Sequence, residues 1–150
     1  MDRFAYGKTT FVTDSVFGEM RFSLQHGACY AETFFPPLGK KVDIILNGAM
    51  GEINHKYYDA FTEITRLYPE IRPQIANALF SMYAGDGEQN VRGPKASSPE
   101  ELMKLLQLDG IFIGEDDYVD ILYGFREGWD DAMLTVRLQN GHVEPFSFDD

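Results

Sequence analysis

The chain has 150 residues, of which 44% are hydrophobic and 14% aromatic, which is typical of a globular domain and excludes a disordered acidic chain. Its formal net charge is −11, and residues 109–150 carry −9 of it, with eleven acidic side chains against two basic ones. This charge disfavours binding to nucleic acid or to a membrane surface and favours a basic partner. We therefore expect a single domain over residues 1–150, large enough to bury a core.

The sequence contains no apolar run as long as a signal peptide or a membrane span. The longest such run is Val42–Leu46, and it includes Asp43. Cys29 is the single cysteine, so neither an internal disulfide nor a cysteine zinc cluster can form. These features predict a cytoplasmic protein.

Residues 4–46 alternate between segments rich in β-branched and aromatic residues and short groups of turn residues. This pattern predicts an antiparallel meander with one buried face. The predicted strands are Phe4–Tyr6, Thr9–Val12, Met20–Leu24, Cys29–Phe34 and Val42–Leu46.

The middle of the chain changes to a helical period of apolar residues. Pro69 and Pro73 interrupt it, because a proline lacks the amide hydrogen and crowds the preceding turn. The sequence predicts a helix at 54–67, a break, and a second helix that starts near Pro69–Pro73, ends near Tyr83 and packs beside the first.

A loop is predicted at residues 84–97, and a short third helix after it. Ser98 can cap this helix, Pro99 suits its first position and Glu101 can complete a capping box. The apolar stripe of the helix consists of Leu102, Leu105 and Leu106.

Strand chemistry returns after residue 110, at Ile111–Ile113, Tyr118–Phe125 and Met133–Leu138. Asn140–Gly141 is a strong type I′ hairpin signal, because both central residues of that turn need a positive φ. The predicted fold class is α+β, with antiparallel β meanders at both ends of the chain and a central helix pair and short third helix packed on the sheet.

Acidic residues occur at the two predicted turns that flank the 118–125 strand. Alternation along this strand places Tyr118 and Asp120 on the face opposite Ile121 and Tyr123, so we expect both to point outward. A tyrosine among carboxylates suits an arginine-rich partner. Simpler alternatives remain open: solvated turn acids, a Tyr118 that covers a neighbouring strand, and a Trp129 that closes one end of the sheet.

No catalytic, cofactor-binding or metal-binding set is predicted. The histidines His26, His55 and His142 have no ligand spacing, and we expect each of them at the surface. Cys29 lies in a predicted strand and is expected to be buried. The glycines of the 84–97 loop follow a helix instead of opening one, which argues against a phosphate loop.

The closing segment resembles a recurring pattern of small bacterial cytoplasmic domains of the immunity-protein type. The residues that carry the resemblance are Leu122-Tyr123, Gly128-Trp129-Asp130-Asp131, Leu134–Leu138 and Asn140-Gly141. Such proteins neutralise a toxin made by the same cell or by its neighbours, so the resemblance implies a protein partner.

The sequence therefore predicts a non-enzymatic protein-binding module, an immunity protein that neutralises a basic toxin or nuclease through an acidic surface. Two alternatives are a metal-dependent hydrolase that uses surface carboxylates and an inhibitor that mimics DNA. The candidate partner-binding residues are Asp116, Asp117, Tyr118, Asp120, Trp129, Asp130 and Asp131.

Overall fold

A computed structural model describes residues 10–23, 27–49, 53–84, 96–126 and 133–149. They form one eight-stranded sheet and two α-helices. The strands are β1 (Thr10–Asp14), β2 (Gly18–Ser23), β3 (Ala28–Phe35), β4 (Lys40–Asn47), β5 (Leu106–Ile113), β6 (Tyr118–Phe125), β7 (Met133–Gln139) and β8 (His142–Asp149). The helices are α1 (His55–Ala84) and α2 (Pro99–Leu105), and a 3-10 turn spans Pro36–Leu38.

The eight strands lie in the sheet in chain order. Neighbours are antiparallel throughout, except that β4 and β5 are parallel. A parallel pair needs a long crossover, and α1 and α2 occupy that connection. The predicted α+β class and the meanders at both ends are confirmed, whereas the predicted strand Phe4–Tyr6 lies outside the described residues.

The predicted break between two central helices is wrong, because α1 runs through Pro69 and Pro73 without interruption. Both prolines are exposed, so the carbonyl groups of Thr65 and Pro69, which they leave without an amide donor, are on the solvent side. A single buried stripe also continues past them. Its members are Ile64, Tyr68, Ile75 and Leu79, and their burial favours one continuous helix over two.

Replacing Pro73 with alanine should raise the free energy of unfolding by about 1–2 kcal/mol, because the gain in helix propensity is partly offset by a freer unfolded chain. The matched control is Pro99→Ala at the first turn of α2. The amide of a residue there makes no hydrogen bond within the helix, so we expect no gain in stability. Urea unfolding measures both changes. A loss of stability in the Pro73 variant would contradict this explanation of the continuous helix.

The predicted short helix is confirmed as α2, with Ser98 as its cap. The Ser98 hydroxyl accepts a hydrogen bond from the Glu101 amide at 3.1 Å, and the Glu101 carboxylate accepts one from the Ser97 amide at 2.6 Å. Leu106, expected in the apolar stripe of this helix, instead begins β5 and is buried there. The helix therefore ends one residue before the sheet resumes.

The sheet curves around the N-terminal half of α1. Near the β1 edge, the Tyr58 hydroxyl of this helix donates to the Asp14 carboxylate, which also accepts the amides of Val16 and Phe17 at 2.8 and 2.9 Å. Burial alone would raise the pKa of Asp14, but these hydrogen bonds lower it below its usual value. The same half of the helix also contacts the β8 edge. We call the face toward α1 the inner face and the opposite one the outer face.

The centre of the inner face is joined to α1 by two buried tyrosines. The hydroxyl groups of Tyr68 and Tyr123 are 2.6 Å apart, so one phenol donates a hydrogen bond to the other inside the core. At the other end of the sheet, the β7–β8 hairpin has Asn140 at φ 54 and Gly141 at φ 79, which confirms the predicted type I′ turn.

No helix in the described part of the chain combines the length and apolar character that a membrane crossing requires.

Candidate functional site

Asp116 and Asp117, two of the predicted partner-binding residues, lie in the turn between β5 and β6. Together with Glu115 they form an exposed group, which we call the acidic turn. Asp117 has a φ of 62, a left-handed conformation that aspartate and asparagine tolerate better than most residues. The backbone therefore helps to select an aspartate here.

The acidic turn is anchored from two sides. The Gly114 amide donates to the Tyr118 carbonyl at 3.1 Å, which closes the hairpin. On α1, the Lys56 ammonium donates to the Glu115 carbonyl at 2.6 Å. The turn is thus held against the first turn of α1, while Asp116 and Asp117 remain exposed.

Asp120 is on the outer face, as expected, but it is not an exposed acid. It is 6% exposed, because Arg137, its cross-strand partner on β7, covers it. The guanidinium donates to both carboxylate oxygens, at 2.7 and 2.9 Å. This hydrogen bonding also raises the pKa of Arg137. We expected Asp120 to face solvent, and this expectation is wrong, because the β6–β7 register places the Arg137 guanidinium over its carboxylate.

Tyr118 also has its cation within the chain. The Arg137 guanidinium lies 3.9 Å from the centre of the Tyr118 ring and 3.9 Å from that of Phe146, so it is held between two aromatic rings. Phe112 stacks on the Tyr118 ring, with 6.2 Å between the two ring centres. The cation–π contact that we expected Tyr118 to offer a partner is already made by Arg137.

The other three predicted residues, Trp129, Asp130 and Asp131, lie outside the described residues. The ends of the segment that holds them are described, at Arg126 and Met133. In the β6–β7 register Met133 pairs with Gly124, at the end of β6 far from the acidic turn.

A cleft of about 500 Å³ opens beside the acidic turn, between α1 and the two turns at this end of the sheet. We call it the acidic cleft. Its floor is apolar, and the side chains that form it come from α1 and from β5, β6, β7 and β8: Ile64, Leu67, Ile113, Val119, Leu138 and Val143.

Carboxylates stand on both sides of this cleft. Asp59 and Glu63 are four residues apart on α1, and Asp117 faces them from the acidic turn. Among the residues that the structure describes, Lys56 is the cation that lines the cleft. The Glu63 carboxylate pairs with Arg66 at 3.0 Å, but both side chains are more than half exposed, so water and salt screen this pair. The charge of the lining is therefore negative.

Sequence reasoning missed the cleft, because its walls come from segments far apart in the chain. Ile64, Leu67 and Ile71 line it from α1, and their spacing along the chain is that of any buried helix stripe. The acids at Asp59 and Glu63 repeat with the helical period on the adjoining face, which was the one available signal.

Among the described residues, no three histidine, cysteine, aspartate or glutamate side chains come together as metal ligands would. Cys29 is buried, as expected, and burial raises the pKa of its thiol to about 11, which keeps it protonated. His55 and His142 are exposed, as the sequence predicted, while His26 lies outside the described residues.

The fold and the cleft define an α+β protein in which one curved sheet holds a long helix and leaves an acid-rimmed cleft at one end. The chain belongs to the family described as a domain of unknown function, DUF6985, whose model matches residues 16–148. No curated protein and no solved structure matches the chain.

Proposed function

We propose that this protein is a non-enzymatic protein-binding module that recognises a basic protein partner through the acidic turn and the acidic cleft. The observation that carries the proposal is the juxtaposition of Asp116 and Asp117, both exposed, with a half-open apolar cleft. Protein interfaces combine a desolvated apolar centre with a polar rim in this way. Asp120, whose carboxylate pairs with Arg137, has no part in it.

The anchored backbone of the acidic turn supports this role. Because Lys56 and the hairpin hydrogen bond fix the turn, its carboxylates lose little freedom when a partner binds. Fixed negative charges steer a basic partner during encounter and raise the association rate more than the affinity. The affinity would come from apolar contacts within the cleft.

We infer that the partner is a basic toxin or nuclease and that the protein acts as an immunity protein. The resemblance of the closing segment to immunity-type domains favours this class of partner. We also place the protein in the cytoplasm, since its single cysteine, Cys29, leaves no internal disulfide of the kind common in secreted domains. A DNA mimic is less favoured, because such a mimic needs rows of unpaired carboxylates and Asp120 is paired.

The proposal is tested by measuring association kinetics at low salt with a purified candidate partner. The candidate is the product of the gene next to the one that encodes this protein. The variant Asp116→Lys with Asp117→Asn removes three units of negative charge from the turn, and asparagine keeps the left-handed backbone at position 117. Association should slow by about tenfold or more.

The matched control is Glu32→Lys with Glu70→Gln, which changes the charge by the same amount at two exposed positions outside the cleft. This control should keep most of the wild-type rate, since only the local charges of the turn are altered in the first variant. Equal slowing by both variants would show that net charge alone determines the association rate. An unchanged rate in the first variant would show that the acidic turn does not take part in recognition.

A further inference from the structure

The acidic cleft has a volume and an apolar lining that can receive one large side chain. Its volume of about 500 Å³ lies within the range of small-ligand pockets, and the central floor residues Ile64 and Ile113 are buried. Val119, Leu138 and Val143 add half-buried apolar surface. An apolar group that enters this cleft would therefore be removed from water on several sides.

The charges around the mouth select among apolar groups. Asp59 and Asp117 lie on opposite sides, so a cation placed at the mouth is attracted from both. Lys56, which also lines the cleft, directs its ammonium to the Glu115 carbonyl and over the Tyr57 ring, with 5.5 Å between the ammonium and the ring centre. Its charge is thus drawn to the base of the acidic turn.

We infer that the acidic cleft receives a large apolar side chain that the partner presents next to a basic residue, whose cation is held between Asp59 and Asp117. This inference rests on the proposed function and names the anchor that the partner would supply. An anchored aromatic residue with an adjacent cation is the kind of contact in which interface energy concentrates.

The chemistry can be tested without the partner by using two small indoles of similar size and opposite charge. Tryptamine carries an aromatic ring and an ammonium, and indole-3-propionate carries the same ring with a carboxylate. Amide chemical shifts of the ¹⁵N-labelled protein, recorded during titration with each probe, report where and how tightly the probe binds.

Tryptamine should shift the amides of Gly114, Leu138 and Gly141, which line the cleft. Indole-3-propionate should bind about tenfold more weakly or not at all, because the rim repels its carboxylate. Equal binding of the two probes, shifts confined to another surface, or no shifts at millimolar tryptamine would each overturn the inference. Cleft shifts that change with protein concentration alone would mean that a second copy occupies the cleft, which also overturns it.

Two matched pairs of variants locate the binding. Ala60→Leu fills the cleft from α1, whereas Asn77→Leu places the same side chain at an exposed position of the same helix outside the cleft. The first should weaken tryptamine binding by about tenfold or more and the second should not. Asp59→Asn should weaken it about threefold, and Glu70→Gln, at an exposed position that does not line the cleft, should not.

The outcomes of this experiment and of the kinetic test distinguish a failure of the inference from a failure of the proposed function. If the probes bind as expected but the charge variant associates normally, the cleft chemistry holds and the proposed function of the turn does not. If association depends on the turn but the two indoles bind alike, the basic partner stands and the anchored side chain is overturned.

Discussion

Arg137→Ala is expected to lower the free energy of unfolding by about 2–3 kcal/mol. The substitution leaves the Asp120 carboxylate, 6% exposed, without the guanidinium that donates to both of its oxygens. Hydrogen bonds to a charged group contribute about 1.5–3 kcal/mol, and water replaces them only in part, because Phe112, the cross-strand neighbour on β5, remains beside Asp120. The variant also loses the contacts of the guanidinium with the Tyr118 and Phe146 rings.

The control for this prediction is Arg66→Ala, which removes an equally close arginine–carboxylate contact at the surface. Arg66 and Glu63 are 61% and 57% exposed, so the loss should stay below about 1 kcal/mol. Urea unfolding of both variants gives the comparison. A change of similar size in the two would show that Asp120 is as well hydrated as Glu63 and that its burial has no energetic consequence.

A second large effect is expected at alkaline pH, where stability should fall steeply above about pH 10. Burial raises the pKa of Tyr68, and that of Tyr123 well above its usual value. The pKa of Tyr58 rises to about 12, chiefly through its hydrogen bond to Asp14. Burial raises the pKa of two further tyrosines, Tyr57 and Tyr83.

The direction follows from which state keeps its protons. In the unfolded chain these phenols ionise near pH 10, whereas in the folded protein they stay protonated to higher pH. Their contribution to stability is therefore complete below about pH 10 and is lost as the pH rises from there through the folded pKa values. Each tyrosine that ionises only in the unfolded state lowers the free energy of unfolding by about 1.4 kcal/mol per pH unit.

Unfolding free energies at a series of pH values, with tyrosinate absorbance followed in parallel, measure this effect. The double variant Tyr68→Phe with Tyr123→Phe removes both members of the buried pair together, so no phenol is left unsatisfied. Above pH 10, its free energy of unfolding should fall less steeply with pH, by the amount that about two fewer protons released on unfolding would give. Stability that stays constant from about pH 9 to about pH 11 would contradict the burial of these groups.

The sequence predicted those parts of the fold that local chemistry decides. Asn140–Gly141 specifies its turn by backbone preference alone, and Ser98 caps α2 by a side chain three residues from its partner. The break at Pro69 and Pro73 was wrong for a tertiary reason. A proline in the sequence indicates only the local cost to a helix. The free energy gained by burying Ile64 and Ile75 in one stripe depends on the sheet against which the helix packs.

The site was less predictable than the fold, for a related reason. Asp116 and Asp117 were placed correctly in an exposed turn, since acids beside a glycine between two strands need no tertiary information. The pairing of Asp120 with Arg137 depends on the β6–β7 register, which alternation along one strand does not reveal. The acidic cleft depends on the packing of α1 against turns more than forty residues away.

The salt dependence of association tests the acidic turn most directly. The association rate constant for the adjacent gene's product is measured over a range of ionic strengths, for the wild type and for Asp116→Lys with Asp117→Asn. The wild-type rate should fall steeply as salt is added, the variant's rate should fall much less, and the two should converge at high salt, where the charges are screened. Parallel curves that never converge would show that these two carboxylates do not steer the partner, and would contradict the account.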